Sequence, residues 1–190
     1  MVHSRPLHGI RVAILVEDGF DESELTRPRE ALHAAGATAA IVSPATPVVH
    51  GWRDDERVGE FKVDLGIADA KPTDFDALLL PGGVRSADAL RVDNKAVLFV
   101  HAMQIARKPI AALGHGLWLL IETDFVRGRK VTSWPSLRAD LINAGGDWVD
   151  QTVVADNLLV TGRKPSDIAS FNDAMIELFT TRDQSIAAAS

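Results

Sequence analysis

Three short, almost wholly apolar runs, each stopped by a turn containing glycine, limit what this 190-residue chain can fold into. Ile10–Val16 (IRVAILV) halts at Asp18-Gly19-Phe20-Asp21. Asp76–Leu80 (DALLL) ends in Pro81-Gly82-Gly83, and Lys108–Leu113 (KPIAAL) ends in Gly114-His115-Gly116. Runs this short, apolar at successive positions, read as strands buried on both faces of a sheet. After the first run, residues from about 22 to 35 read as a helix, with Leu25, Ala31, Leu32 and Ala35 on one face and Gly36 as its stop. Pro28 predicts a kink or a late start there. A second strand follows at about 38–42, and strand, helix, strand in that order predicts a parallel α/β sheet.

The rest of the chain continues the alternation. Residues 43–75 are rich in turn formers and charges, with one short strand at Glu60–Val63. Helices are expected over about 93–106, from Gly116 to Glu122, and over Ser136–Asn143, where Gly145-Gly146 closes the last. Lys130–Thr132 reads as a strand, and Trp148–Val154 and Leu158–Thr161 as two more joined at Asp156-Asn157. Pro165 opens a final helix carrying Ile168, Phe171, Met175, Leu178 and Phe179 at helical spacing. No repeat or linker divides the chain. The expectation is one domain over residues 1–190, with its core at about 10–180 and a frayed tail from about 182 to 190.

Charge and composition exclude several classes of function. With 20 Lys and Arg against 26 Asp and Glu, the net charge is −6, which disfavours nucleic acid and anionic membrane surfaces as partners. The first twenty residues mix charges with apolar residues and do not form a secretory signal, and no apolar stretch is long enough to span a bilayer. The chain has no cysteine, so it has no disulfide, no thiolate and no cysteine-ligated zinc, which agrees with a cytoplasmic location. Six histidines (3, 8, 33, 50, 101 and 115) show no HxH or HExxH spacing, and no GxGxxG or GxxxxGK is present. No metal and no nucleotide cofactor is therefore expected. The combination of His50 with Asp54, Asp55 and Glu56 is a faint metal pattern.

Chemistry is concentrated at the strand ends. Leu113-Gly114-His115-Gly116 lies on a strand-to-helix turn, the place where several α/β enzymes hold a nucleophile. Such an elbow holds its central residue in a strained backbone conformation, and glycine adopts positive φ with little cost. Gly82 and Gly83 end a core strand where backbone N–H groups can face an oxyanion. The acidic segment Glu17–Glu24 follows the first strand and could supply a general acid or base. The C-terminal edge of a parallel sheet is where α/β proteins place ligands. Each feature also has a plain structural reading, as a tight turn or as solvated acid at a helix start.

These pieces, in this order, resemble the DJ-1/PfpI superfamily, in particular its PfpI-like intracellular protease/amidase and general-stress branch. The resemblance rests on EDGFDESEL (17–25), FKVDLGIADAKPTDFDALLLPGG (61–83), KPIAALGHGLWLL (108–120), VRGRKVTSWPSLRADLINAGGDWVD (126–150) and LLVTGRKPSD (158–167). It implies a flavodoxin-like three-layer sandwich with a mostly parallel central sheet, assembled as a dimer or hexamer with its pocket near the subunit interface. It places the family's Cys-His-Gly elbow on Gly114-His115-Gly116 and the acid that hydrogen-bonds the thiol on Glu24. The oxyanion-type turn falls on Gly82-Gly83, and the carboxylate that a neighbouring subunit gives to the histidine falls on Asp88. Cysteine has become Gly114, and the proline that commonly follows Cys-His-Gly has become Leu117.

Family activities run through a thiolate that this chain lacks. Three readings stay open. The protein is a non-thiol enzyme or binder of a small carbonyl or acyl compound, using Glu24, His115 and Asp88; or it is an inactive relative whose role lies in oligomer or protein contacts in a stress response. A cysteine-to-glycine variant of a protease/amidase or glyoxalase-type enzyme is the third possibility.

Overall fold

In the computed structural model, which describes residues 5–187 and the side chains up to Thr181, the predicted runs form the centre of one sheet. In chain order the strands are β1 (Arg11–Leu15), β2 (Phe20–Asp21), β3 (Thr38–Ser43), β4 (Val48–Arg53), β5 (Glu56–Lys62) and β6 (Leu65–Gly66). There follow β7 (Ala77–Leu80), β8 (Ile110–Leu113), β9 (Lys130–Val131), β10 (Asp147–Trp148), β11 (Val153–Asp156) and β12 (Leu159–Gly162). The helices are α1 (Glu22–Ala34), α2 (Val84–Val92), α3 (Asn94–Ile105), α4 (Trp118–Glu122), α5 (Arg138–Asn143) and α6 (Ile168–Ala187).

The main sheet has the order β11-β12-β8-β7-β1-β3-β6 and is parallel except where β11 joins β12 antiparallel. Alternate residues of its central strands enter two separate cores. Val12 and Ile14 of β1, Ala77 and Leu79 of β7, and Ala111 and Leu113 of β8 pack with Leu25 and Leu32 of α1 and Phe171, Met175 and Phe179 of α6. Ala13, Leu15, Leu78, Leu80, Ile110 and Ala112 face the opposite way, toward Leu90, Phe99, Val100 and Met103 of α2 and α3 and Leu119 and Leu120 of α4. Burial on both faces explains why these strands carry no polar alternation.

The chain leaves β1 for β3 on one side, and the remaining central strands, β7, β8 and β12, lie on the other. The loops after β1 and after β7 leave the sheet side by side at this switch point, the usual position of the ligand crevice in such sheets. One wall of the crevice comes from a small second sheet, β2-β4-β5. In it β2 pairs parallel with β4, and β4 and β5 form a hairpin with a register irregularity at His50/Gly51.

Several expectations need correcting. Helix α1 has no late start: Asp21 accepts from the Ser23 and Glu24 N–H groups, so the helix begins at Glu22 and continues through Pro28. Where a single short strand at Glu60–Val63 was expected, the hairpin Val48–Lys62 forms, stabilised by cross-strand pairing that no local pattern announces. Helix α2 was not anticipated. The expected strand Trp148–Val154 is two strands, β10 pairing with β9 and β11 with β12. The elbow enters its helix through a 3-10 turn, Gly114–Leu117. The last helix spans Ile168–Ala187, and residues 188–190 of the tail expected from about 182 lie outside the described residues. No described helix is long and apolar enough to cross a membrane.

Gly116 is the point where the β8 turn meets the β7 end. A Cβ there would stand 2.5 Å from the Leu80 carbonyl oxygen and 2.9 Å from that of Pro81, and both are backbone atoms that cannot step aside. Gly116→Ala is therefore expected to destabilise the fold by about 2–4 kcal/mol. Urea denaturation should read this as a lower midpoint at unchanged slope; an unshifted midpoint would show that the two turns are not in contact.

Candidate functional site

Three backbone and side-chain hydrogen bonds lace the loop after β1 to the turn after β7. Glu17 N–H donates to Ser86 Oγ (2.9 Å), Asp21 N–H to the Gly82 carbonyl (3.1 Å), and Gly82 N–H to Glu24 Oε2 (2.8 Å). Gly83 sits between these contacts at φ +100°, as the N-cap of α2. A Cβ on it would come within 2.6 Å of the Asp21 nitrogen, the Gly19 oxygen and the Phe20 Cα, so only glycine fits.

Gly114 has φ +53° and is buried at the foot of the crevice. The backbone thus keeps the left-handed conformation of an elbow although no side chain requires it. A Cβ at Gly114 would stand 3.1 Å from Glu24 Oε2, 3.2 Å from Oε1 and 3.6 Å from the Arg163 carbonyl oxygen. The Glu24 carboxyl therefore lies directly against the space that a side chain at position 114 would enter.

Glu24 is 3% exposed and has no cationic partner among the described residues. Burial, reinforced by the Asp21 carboxylate and only partly offset by the Gly82 N–H bond, pushes its pKa up to about 8. At neutral pH it is a carboxylic acid, with a proton to donate. His115 lies half-buried between two indoles: Trp118 meets it edge-on at 5.1 Å and Trp134 stacks on it at 6.1 Å between ring centroids. Burial lowers its pKa, so its imidazole is neutral at pH 7. Ser136 Oγ lies 3.4 Å from its Nε2.

Glu24, His115 and Gly83 line one cavity of about 380 Å³, together with Arg85, Trp52 and Trp134. The structure thus brings together most of the residues singled out from sequence. Gly82 departs from its expected role, because Glu24 takes up its N–H and leaves it unable to meet an oxyanion. The backbone N–H groups of Gly83 and His115, by contrast, make no hydrogen bond to described residues. Asp88 is exposed on α2 and does not line the cavity within one chain. His50 stands apart from Asp54, Asp55 and Glu56. The hairpin register puts Glu60 opposite it, and its ring bridges Asp18 (3.1 Å) and Glu60 (3.6 Å).

Sequence reasoning did not find Trp52, Arg85 or Trp134 as site residues. Trp52 reaches the cavity only because β4 docks on β2, with Asp21 opposite Trp52. No short motif signals that pairing. Arg85 arrives with the unanticipated α2.

Comparison with known proteins shows the family. Residues 10–178 match the DJ-1/PfpI family model. YraA of Bacillus subtilis, which carries a provisional cysteine protease name, is 40% identical over 169 residues, covering 88% of this chain and 97% of YraA. Protein/nucleic acid deglycase 2 of Escherichia coli is 39% identical over 170 residues, 88% of this chain and 96% of the enzyme. Among solved structures, a protein of Anabaena variabilis with DJ-1/ThiJ/PfpI-like and ferritin-like domains superposes with a TM-score of 0.82 at 31% identity, over 88% of this chain. The chain spans about half (47%) of that two-domain protein. Drosophila melanogaster DJ-1beta shares the fold, with a TM-score of 0.79 at 24% identity over 95% of this chain and 96% of its own. With its crevice at the sheet's switch point, its glycine turns and its buried glutamate, the chain belongs to the DJ-1/PfpI family.

Proposed function

We propose that this protein binds a small carbonyl or acyl compound in the cavity above Gly114 and acts on it by general acid–base chemistry without a thiol. The observation that carries this reading is Glu24, a buried carboxyl with no cationic partner, kept protonated beside the position where a nucleophile would stand. A group that is costly to bury and perturbed at a cavity floor is a functional-site candidate. Glu24 donates its proton to the ligand's carbonyl oxygen. The Gly83 and His115 N–H groups polarise the same oxygen, and the neutral His115 imidazole accepts and returns a proton. Asp88 acts on His115 of a neighbouring subunit in a dimer or hexamer located in the cytoplasm. The protease- and deglycase-named relatives support acyl and carbonyl-derived ligands.

The binding test uses butanal and butanamide, followed by the fluorescence of Trp52 and Trp134. Affinity is expected to be flat below pH 8 and to fall as Glu24 ionises above it. Glu24→Gln, whose amide still donates, should keep the affinity and lose this pH dependence, whereas Glu24→Ala and His115→Ala are each expected to weaken binding about tenfold. If both alanine variants bind as the native protein does, the cavity reading fails and an inactive member acting through its surface takes its place.

Glu24 also sets a pH dependence of stability. Its pKa is higher folded than unfolded, so between the ordinary value of 4.5 and about 8 the folded state holds a proton that the unfolded state has lost. Stability therefore falls as pH rises through that window, by about 1.4 kcal/mol per pH unit. Glu24→Gln keeps an acceptor for the Gly82 N–H without the ionisation. Urea denaturation should find the variant a few kcal/mol more stable than native protein at pH 8, by roughly the sum over that window, and equal to it near pH 4.5. A constant difference across this range would contradict the assigned ionisation.

Restoring a side chain at the elbow gives a further check. Gly114→Cys places its Cβ closer to Glu24 than an ordinary contact, so the carboxyl must move by a few tenths of an ångström, and the left-handed backbone adds about 1–3 kcal/mol of strain. The thiolate accepts the Glu24 proton as a hydrogen bond, which lowers the thiol pKa below about 8.5. Iodoacetamide at pH 7 should modify it about tenfold faster than the exposed control Ser170→Cys. Equal rates would count against Gly114 as the elbow.

A further inference from the structure

Arg85 is a basic side chain of the cavity with no hydrogen-bond or ion-pair partner among the described residues. The neighbouring cations are engaged: Arg53 pairs with Glu22 at 3.1 Å, and Arg163 with Asp150 at 2.6 Å and Asp167 at 2.8 Å. Arg85 makes no hydrogen bond or ion pair among the described residues, although Asp54 and Asp55 line the same cavity. Its position is nevertheless built. The stem packs on Gly19, whose Cβ, if present, would stand 2.5 Å from Arg85 Cβ and 3.1 Å from Cδ. The guanidinium lies over the Trp52 ring at 4.2 Å from its centroid. Stacking fixes the plane of a guanidinium and leaves its edge, with parallel N–H donors, free to take a carboxylate.

The cavity therefore offers two different chemistries. Glu24, against Gly82 and Gly114, offers a proton at the sheet edge, while Arg85, against Gly19 and Trp52, offers a bidentate cation at the hairpin wall. We infer that the ligand carries a carboxylate as well as its carbonyl or acyl group, the carboxylate held by Arg85 and the carbonyl at Glu24. This rests on the reading of the cavity proposed above and narrows its substrate class to acidic carbonyl or acyl compounds. Asp54 and Asp55 sit on the exposed hairpin turn and Arg85 is exposed on α2, so solvent and salt screen all three charges; of the three, Arg85 is the one held in place by stacking on Trp52.

The test compares two ligands of matched backbone, succinamate and butanamide, together with the trimethylammonium analogue of butanamide, all followed by Trp52 fluorescence at low salt. Succinamate is expected to bind about tenfold tighter than butanamide, in line with one charge-assisted pair. Arg85→Gln should bring that ratio to about one, and Arg85→Lys should keep part of it because the charge survives without the fork. A ratio of one in the native protein, a ratio that survives Arg85→Gln, or tightest binding by the cationic analogue would each overturn the inference, the last by assigning the wall to Asp54 and Asp55. Butanoate separates this inference from the one it rests on. Butanoate binding that is lost in Arg85→Gln and kept in Glu24→Ala supports the anion subsite even if no amide responds to Glu24, whereas no binding of either butanoate or succinamate overturns it.

Discussion

The hydrogen bond from Gly82 N–H to Glu24 holds the site together. It joins the first helix to the turn after β7, and it buries a carboxyl that has no cationic partner among the described residues. An ionised carboxylate there would lose its hydration without compensation, so the group keeps its proton and becomes a donor at neutral pH. The geometry around it follows from that contact. Gly83 must be glycine because Asp21 and Gly19 are drawn close, and Gly114 faces the carboxyl because the β8 turn packs against the β7 end through Gly116.

This arrangement costs stability over most of the physiological pH range, since folding must hold a proton that water would remove. Proteins tolerate such a group where its chemistry is used. At Gly114 the backbone retains an elbow's positive φ while the side chain is absent, and the neighbouring acid stands within 3.2 Å of where a Cβ would be. The cavity is thus organised around a proton donor. Its second wall, made by the β2-β4-β5 sheet, supplies Trp52, on which the guanidinium of Arg85 from α2 stacks, so the cavity lining is both polar and aromatic.

Much of the fold was legible because the central strands are buried on both faces and carry unbroken apolar runs. Gly36 after α1 and Gly114 after β8 adopt the positive φ expected of a helix stop and an elbow. What escaped was non-local. The β4–β5 hairpin is largely exposed and mixed in composition, and it exists through pairing with β2 and with itself. Helix α2 begins at a glycine and has no side-chain cap, so local signals for it are weak. Pro28 suggested a break, yet the Asp21 cap and the burial of Leu25 and Leu32 carry the helix through it.

By itself the sequence determined the α/β class, the parallel order of its core, the absence of any thiol, and the glycine turns at the sheet edge, because these depend on residue type and short-range periodicity. Only the tertiary structure decided that Glu24, which the family resemblance picks out among the acids of residues 17–24, is buried and protonated in the crevice, and that Arg85 of α2 and Trp52 of the second sheet line the same cavity. Ionisation depends on what surrounds a group, and which strands and helices meet around Glu24 is decided by packing over long sequence distances.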